Sequence, residues 1–232
     1  MVDNIKVIGF DADDTLWVNE PFYRETEAEF ARMMHNYGSK EYIESELLKI
    51  EIANIEGYGY GIKSFILSMI ETAFHLSNNE IDNETIQNII ALGKNMINKP
   101  VELLDGVLET LESLSNTTYQ LIVATKGDLL DQERKLLKSG IEKYFHHIEI
   151  MSDKTDKSYR KLLKHLDIEP NEFMMVGNSL KSDILPVLQV GGCAVYVPYH
   201  TTWAYEQVEA PVNMNNFREL ENIGGLLNIL PI

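Results

Sequence analysis

The sequence predicts an α/β fold: a doubly wound parallel sheet with an α-helical domain inserted after the first strand. Three observations predict it. Short apolar runs rich in β-branched residues recur along the chain, each followed by a polar or glycine-containing turn, the pattern of strands buried on both faces. From residue 100 onward, helical patterns lie between those runs, and strand alternating with helix implies a parallel sheet. Between residues 18 and 99 the alternation stops, and apolar residues recur only at helical spacing.

The first strand is expected at 5–10 (Ile-Lys-Val-Ile-Gly-Phe), ending in Asp11-Ala12-Asp13-Asp14-Thr15. The inserted segment follows. Its apolar positions begin with Phe22, Phe30, Met33 and Met34, and continue through Ile43, Leu47 and Leu48. Ile62, Phe65, Met69 and Phe74 extend the pattern, and Ile86, Ile89 and Met96 complete it. Breaks are expected at Gly38, at Gly57-Tyr58-Gly59-Tyr60-Gly61 and at Ser77-Asn78-Asn79, giving about four helices. Pro100 and Asp105-Gly106 mark the return to the α/β part. The expected domains are therefore 1–17 plus 100–232 for the core and 18–99 for the helical insert. Further strands are expected at 119–125, 172–177 and 193–197, with a weaker one at 146–151. Helices are expected at 106–115, 128–139, 157–166 and 181–190.

Composition narrows the function. The 232 residues carry 20 basic and 36 acidic side chains, a formal net charge of -16, which repels nucleic acid and anionic membrane. Cys193 is the sole cysteine, so neither an internal disulfide nor a cysteine-based zinc site is expected. No run approaches ~18 uninterrupted apolar residues. The first residues, MVDNIKVIGFDADDTLW, turn acidic too early for a secretory signal, and a cytoplasmic protein is the expectation. One stretch runs against the overall charge: residues 126–164 hold 10 basic and 7 acidic side chains.

The chemistry-bearing residues cluster at strand ends, where ligands bind in open α/β sheets. The first strand delivers Asp11 and Asp13, whose mutual repulsion a divalent cation relieves. Asp14 beside them reads as a turn or cap residue. The second strand delivers Thr125, then Lys126 and Gly127. The third leads to Ser152, Asp153 and Lys154, with Lys157 three further on. The fourth delivers Gly177-Asn178-Ser179, then Asp183.

Asp-x-Asp-x-Thr after an N-terminal strand, a strand ending in threonine, a downstream lysine and Gly-Asn-x-x-x-x-Asp together resemble the haloacid dehalogenase (HAD) superfamily, from about residue 5 to 197. The helical insert resembles that superfamily's type-1 cap. The resemblance implies a Rossmann-like HAD core and an Mg²⁺-dependent phosphatase of small phosphorylated metabolites, with no nucleic-acid or membrane partner. It implies that Asp11 is the nucleophile forming an aspartyl-phosphate, and that Asp13 is general acid and then general base. It further implies that Thr125 and a third-motif lysine bind the phosphoryl group. Asp11, the carbonyl of Asp13, Asn178 and Asp183 would then hold Mg²⁺. Counting back from Tyr159 favours Lys154 over Lys157 for that lysine. Lys126 is a further phosphate contact or a solvated surface lysine.

One departure stands out. The family often has aspartate where Asn178 stands, and asparagine offers a carbonyl but no charge, which weakens cation binding or shifts the burden to Asp183. Tyr58 and Tyr60 are read as substrate contacts of a cap loop or as a helix connector. The 198–203 segment, with His200, is read chiefly as packing. Other readings stay open. A dehalogenase needs no acid at the place of Asp13. A phosphomutase or a phosphonatase is a second, the latter with a lysine such as Lys40, Lys49, Lys63 or Lys94. A non-catalytic regulatory module on the same fold is a third.

Overall fold

The computed structural model describes residues 4–211 and 214–231. Among them six strands form one sheet: β1 (Val7–Phe10), β2 (Gln120–Lys126), β3 (His147–Met151), β4 (Phe173–Gly177), β5 (Cys193–Tyr196) and β6 (Phe217–Glu219). The order is β3-β2-β1-β4-β5-β6, with every neighbouring pair parallel. The helices in chain order are α1 (Glu20–Met33), α2 (Lys40–Tyr58), α3 (Ile62–Leu76) and α4 (Asn83–Ile97), then α5 (Val107–Ser115), α6 (Leu129–Ser139), α7 (Asp156–Leu166), α8 (Leu185–Val190) and α9 (Leu226–Ile229). None of the described helices is long and apolar enough to cross a membrane.

The chain divides into two compact units. One comprises Met1–Glu20, Val101–Lys126 and Gln132–Ile232, and the other Pro21–Pro100 with Gly127–Asp131. In the first unit β1, β2, β4 and β5 bury both faces, which is why they read as continuous apolar runs. Successive side chains alternate between two cores. Ile8, Phe10, Leu121, Val123, Met174 and Val176 meet α5 and α9 through Val107, Leu111 and Leu226. Val7, Ile122, Ala124, Phe173 and Met175 meet α7 and α8 through Tyr159, Leu162 and Val187.

The second unit is helical and closes its own core around Phe30, Met34, Ile43, Leu47, Phe65, Met69, Ile89 and Met96. Its helices start where side chains satisfy their first amides. Ser39 accepts from Tyr42 N–H at the head of α2, and Asp82 accepts from Thr85 N–H at the head of α4. The expected break across 57–61 needs correction. α2 runs on through Gly57 to Tyr58, and the turn is confined to Gly59–Gly61, where Gly59 (φ +71°) and Gly61 (φ +106°) adopt backbone that disfavours side chains.

Two further corrections concern the first unit. The sixth strand, Phe-Arg-Glu at 217–219, was not expected, because three residues with one apolar side chain carry no readable period. The segment expected as one helix over 181–190 instead opens as a π-type turn, Leu180–Ile184, before α8 begins. Such widened turns concentrate at functional sites.

The topology places the site. The chain adds β2 and then β3 on one side of β1, and crosses back to lay β4 on the other. The order reverses between β1 and β4, which opens a crevice beyond their carboxyl ends. In register, Phe10 is level with Val123 of β2 and Val176 of β4. Asp11, Thr125 and Asn178 therefore emerge at neighbouring levels on the same edge.

Candidate active site

Asp11 is the first residue past β1, and its N–H donates to Val176 O (2.8 Å), which fixes it against the end of β4. The chain then folds tightly, with Leu16 N–H bonded to Ala12 O (2.8 Å). Asp14 takes a left-handed conformation (φ +62°), one that aspartate tolerates. Its carboxylate accepts the N–H groups of Asn19 (2.9 Å) and Glu20 (2.9 Å), so it behaves as a turn and cap residue. This fold turns Asp13 away from Asp14 and towards α6. Asp13 Oδ1 accepts from Trp17 Nε1 (2.7 Å) and Lys135 Nζ (2.6 Å), and Oδ2 accepts from Gln132 Nε2 (2.8 Å).

The centre of the site is a buried ammonium between two carboxylates. Lys154 Nζ donates to Asp11 Oδ1 (2.5 Å) and to Asp183 Oδ1 (2.6 Å). Burial pulls the Lys154 pKa down, but the two carboxylates outweigh it and hold the side chain charged well above the ordinary lysine value. The trio still has a net charge of one negative unit in a water-poor place. Burial accordingly pushes the Asp11 carboxyl up from 3.8 to about 7, the Asp183 charge adds to the rise, and Lys154 opposes it. The site is short of positive charge.

Asp183 has both oxygens engaged, Oδ1 by Lys154 and Oδ2 by Ser179 N–H (3.0 Å). Its carboxylate lies directly over Gly177, where any Cβ would run into it. The Asn178 side chain satisfies its surroundings when its NH₂ group faces three oxygens: Asp11 Oδ2, the Asp13 carbonyl and Thr15 Oγ1, each at 3.2 Å. Thr15 completes the ring by donating to Asp11 Oδ2 (3.2 Å) and accepting Asn178 N–H (3.1 Å). Every donor here that is able to face a cation is an oxygen. Among the described residues, no group of three or more His, Cys, Asp or Glu side chains is arranged to hold a metal ion. A cation here would rest on one carboxylate, a backbone carbonyl, an amide and water, a set suited to Mg²⁺.

The structure thus brings Asp11, Lys154, Asn178 and Asp183 into direct contact, with Asp13 on the α6 side. Thr125 is buried at the end of β2 and its hydroxyl donates to the Lys126 carbonyl (3.3 Å). Lys157 is exposed, so of the two candidate lysines Lys154 meets the carboxylates. Lys126 is not a solvated surface lysine. It pairs with the buried Glu206 (2.5 Å) and donates to Ser182 Oγ (2.9 Å). Tyr58 bonds Glu71 (2.9 Å) inside the helical unit, and His200 stacks on Tyr199 and meets Thr201 (2.7 Å). Gln132, Lys135 and Glu206 were not singled out in the sequence. The first two do share a helical face at i, i+3, a detectable signal one turn into the helix after Thr125. Glu206 sits in an irregular segment and carries none.

The chain matches the haloacid dehalogenase-like hydrolase family over residues 5–191 and belongs to it. A curated relative, the glyceraldehyde 3-phosphate phosphatase of Methanothermobacter thermautotrophicus, is 24% identical over 238 aligned positions, covering 97% of this chain and 100% of that protein. The protein of the same name from Pyrococcus furiosus is 30% identical over 99 residues, 40% of this chain and 41% of that relative's length. Among solved structures, a haloacid dehalogenase-like family hydrolase from Xanthomonas campestris superposes with a TM-score of 0.87 at 36% identity, covering 97% of this chain and 90% of that one.

A carboxyl raised by burial costs stability in proportion to its ionisation. For Asp11 that cost is absent near pH 4, grows as pH rises from 3.8, and is full above about 7. Asp11→Asn removes it and leaves Lys154 paired with Asp183. The variant should be more stable than the wild type by about 2 kcal/mol at pH 8, the gain fading towards pH 4. Urea unfolding across that range checks it, and a pH-independent difference would contradict the assignment.

Proposed function

We propose that this protein is an Mg²⁺-dependent hydrolase of small phosphomonoesters that works through an aspartyl-phosphate on Asp11. The observation that carries the reading is the buried Asp11–Lys154–Asp183 trio: a carboxylate held by a fixed ammonium at the switch between β1 and β4. The relatives, which are glyceraldehyde 3-phosphate phosphatases, support it.

In this reading Lys154 and the Thr125 hydroxyl meet the phosphoryl oxygens, and Lys154 also keeps Asp11 aimed at phosphorus. Asp11 attacks, and the ester oxygen departs as Asp13 gives it a proton. Asp13 then takes a proton from the water that opens the aspartyl-phosphate and regenerates Asp11. Trp17, Gln132 and Lys135 fix both oxygens of Asp13, so its carboxyl is placed before substrate arrives. Asp11, the Asp13 carbonyl and Asn178, with its amide turned to present oxygen, would hold Mg²⁺. When bound, the ion supplies the positive charge that the trio lacks and offsets the phosphoryl charge. Asp183, expected among the metal ligands, takes a positioning role here, since both its oxygens are in use. The helical insert at 18–99 is the cap domain of this reading, and the substrates it favours are small phosphorylated metabolites rather than proteins.

The direct test is hydrolysis of p-nitrophenyl phosphate with and without Mg²⁺, beside Asp11→Asn. Activity lost in EDTA, and lost by at least about 10³-fold in the variant, is expected. A fully active Asp11→Asn would exclude the nucleophile assignment, and a wild type inert with every phosphoester and metal would exclude the enzyme reading.

Asn178→Asp adds a charged ligand to the cation set, so Mg²⁺ affinity should rise about tenfold by calorimetry. Unchanged or weaker binding would place Asn178 outside that set. Lys135→Met loosens Asp13, so turnover of an alkyl ester such as glycerol phosphate should drop about tenfold. Hydrolysis of p-nitrophenyl phosphate, whose leaving group needs no proton, should fall much less. An equal loss on both would mean that Lys135 acts through something other than Asp13.

A further inference from the structure

Glu206 lies beyond the stretch that matches the family, in a short 3-10 turn, Ala204–Glu206, after β5. It is buried, and its carboxylate collects three donors: Lys126 Nζ (2.5 Å), Ser182 Oγ (2.6 Å) and Ser179 Oγ. These come from two different parts of the site. Lys126 ends β2, directly after Thr125. Ser182 belongs to the π-type turn that carries Asp183, and Ser179 caps that turn. Within that turn Ser179 Oγ accepts Ser182 N–H (3.0 Å), Ser179 O accepts Asp183 N–H (2.8 Å), and Lys126 also donates to Ser182 Oγ (2.9 Å). A second tie runs alongside: Lys181 Nζ donates to Tyr205 O (3.0 Å) and lies over the Tyr205 ring. Burial raises the Glu206 pKa, but the Lys126 charge and the two serine hydroxyls outweigh it and keep the carboxyl below its ordinary value.

We propose that Glu206 is a positioning residue, whose carboxylate locks Lys126 and the Ser179–Asp183 turn into one unit and so sets where Asp183 holds Lys154. The inference rests on the reading of Asp11 and Lys154 as the reactive pair. It assigns Lys126 to this lock rather than to the phosphate. A buried ion pair that loses one member leaves an uncompensated charge, whereas losing both members is far better tolerated. The single and double variants therefore behave differently from those of a substrate contact.

The test compares Glu206→Gln, Lys126→Met and the double variant with the wild type by p-nitrophenyl phosphate kinetics and by hydrogen exchange at the amides of Ser179, Ser182 and Asp183. Each single variant should lower kcat about tenfold with a smaller change in KM, and exchange at those amides should quicken about tenfold. The double variant, in which the lock is already gone, should lose no more than the weaker single variant on either readout, and with the Lys126–Glu206 ion pair removed as a whole it also serves if a single variant fails to fold. Two results would overturn the proposal. One is unchanged exchange in Glu206→Gln. The other is a KM raised in Lys126→Met and in the double variant alike, which would mean that Lys126 grips the phosphate itself. A wild type that hydrolyses no phosphomonoester would sink the functional reading instead, and the exchange data alone would then decide the positioning role.

Discussion

A lysine ammonium shared between two buried carboxylates is stable only if backbone and side chains around it leave no slack. Lys154 meets that condition through a chain of local constraints. Asp11 is pinned to β4 by its own N–H, and Asp183 is folded back onto Ser179 N–H and stacked over Gly177. Remove any of these and the three charges no longer offset one another at hydrogen-bond distance. The parallel sheet serves this arrangement by bringing three strand ends to one level, and the π-type turn serves it by widening the backbone where Asp183 must turn inward. The residual negative charge is not a flaw of packing. Under the proposed reading, a phosphoryl group alone would add to that charge and a divalent cation would offset it.

Much of this was legible in the sequence, for identifiable reasons. Strands β1, β2, β4 and β5 are buried on both faces, so their apolar runs stand out. Strand β3 lies at the sheet edge and is half-buried, so Glu149 and two histidines dilute its pattern. The Asp11–Asp13 pair was readable because two carboxylates at one strand end have few structural explanations. What escaped were residues whose importance depends on partners remote in sequence. Gln132 and Lys135 reach Asp13 across 119 and 122 positions, and Glu206 reaches Lys126 across 80. No local pattern encodes such a meeting. The π-type turn escaped as well, since Leu180–Ile184 has ordinary helical spacing and only the tertiary demand on Asp183 widens it.

The two aspartates after β1 illustrate how neighbours acquire different work. Asp11 is buried against an ammonium and two neutral donors. Asp13, two residues on, meets the indole N–H of Trp17, an amide and an ammonium at the rim, with about a quarter of its side chain exposed. Asp14 between Asp13 and the helix spends its charge on backbone amides. Three like side chains in four positions thus separate into nucleophile, proton carrier and cap under the proposed reading. The separation is made by one tight turn and by which donors each carboxylate finds.

Strand β6 has a consequence for handling this protein. It is the outer strand of the sheet beside β5, and it has three residues, two of them charged. Charged, very short outer strands are a known defence against self-association, because they offer an incoming chain little to pair with. A fragment trimmed at the limit of the family match, residue 191, would lose both β5 and β6 and bare the apolar margin of β4 as a pairing template. Shortening the chain to its recognisable core is therefore a route to aggregates rather than to a minimal enzyme.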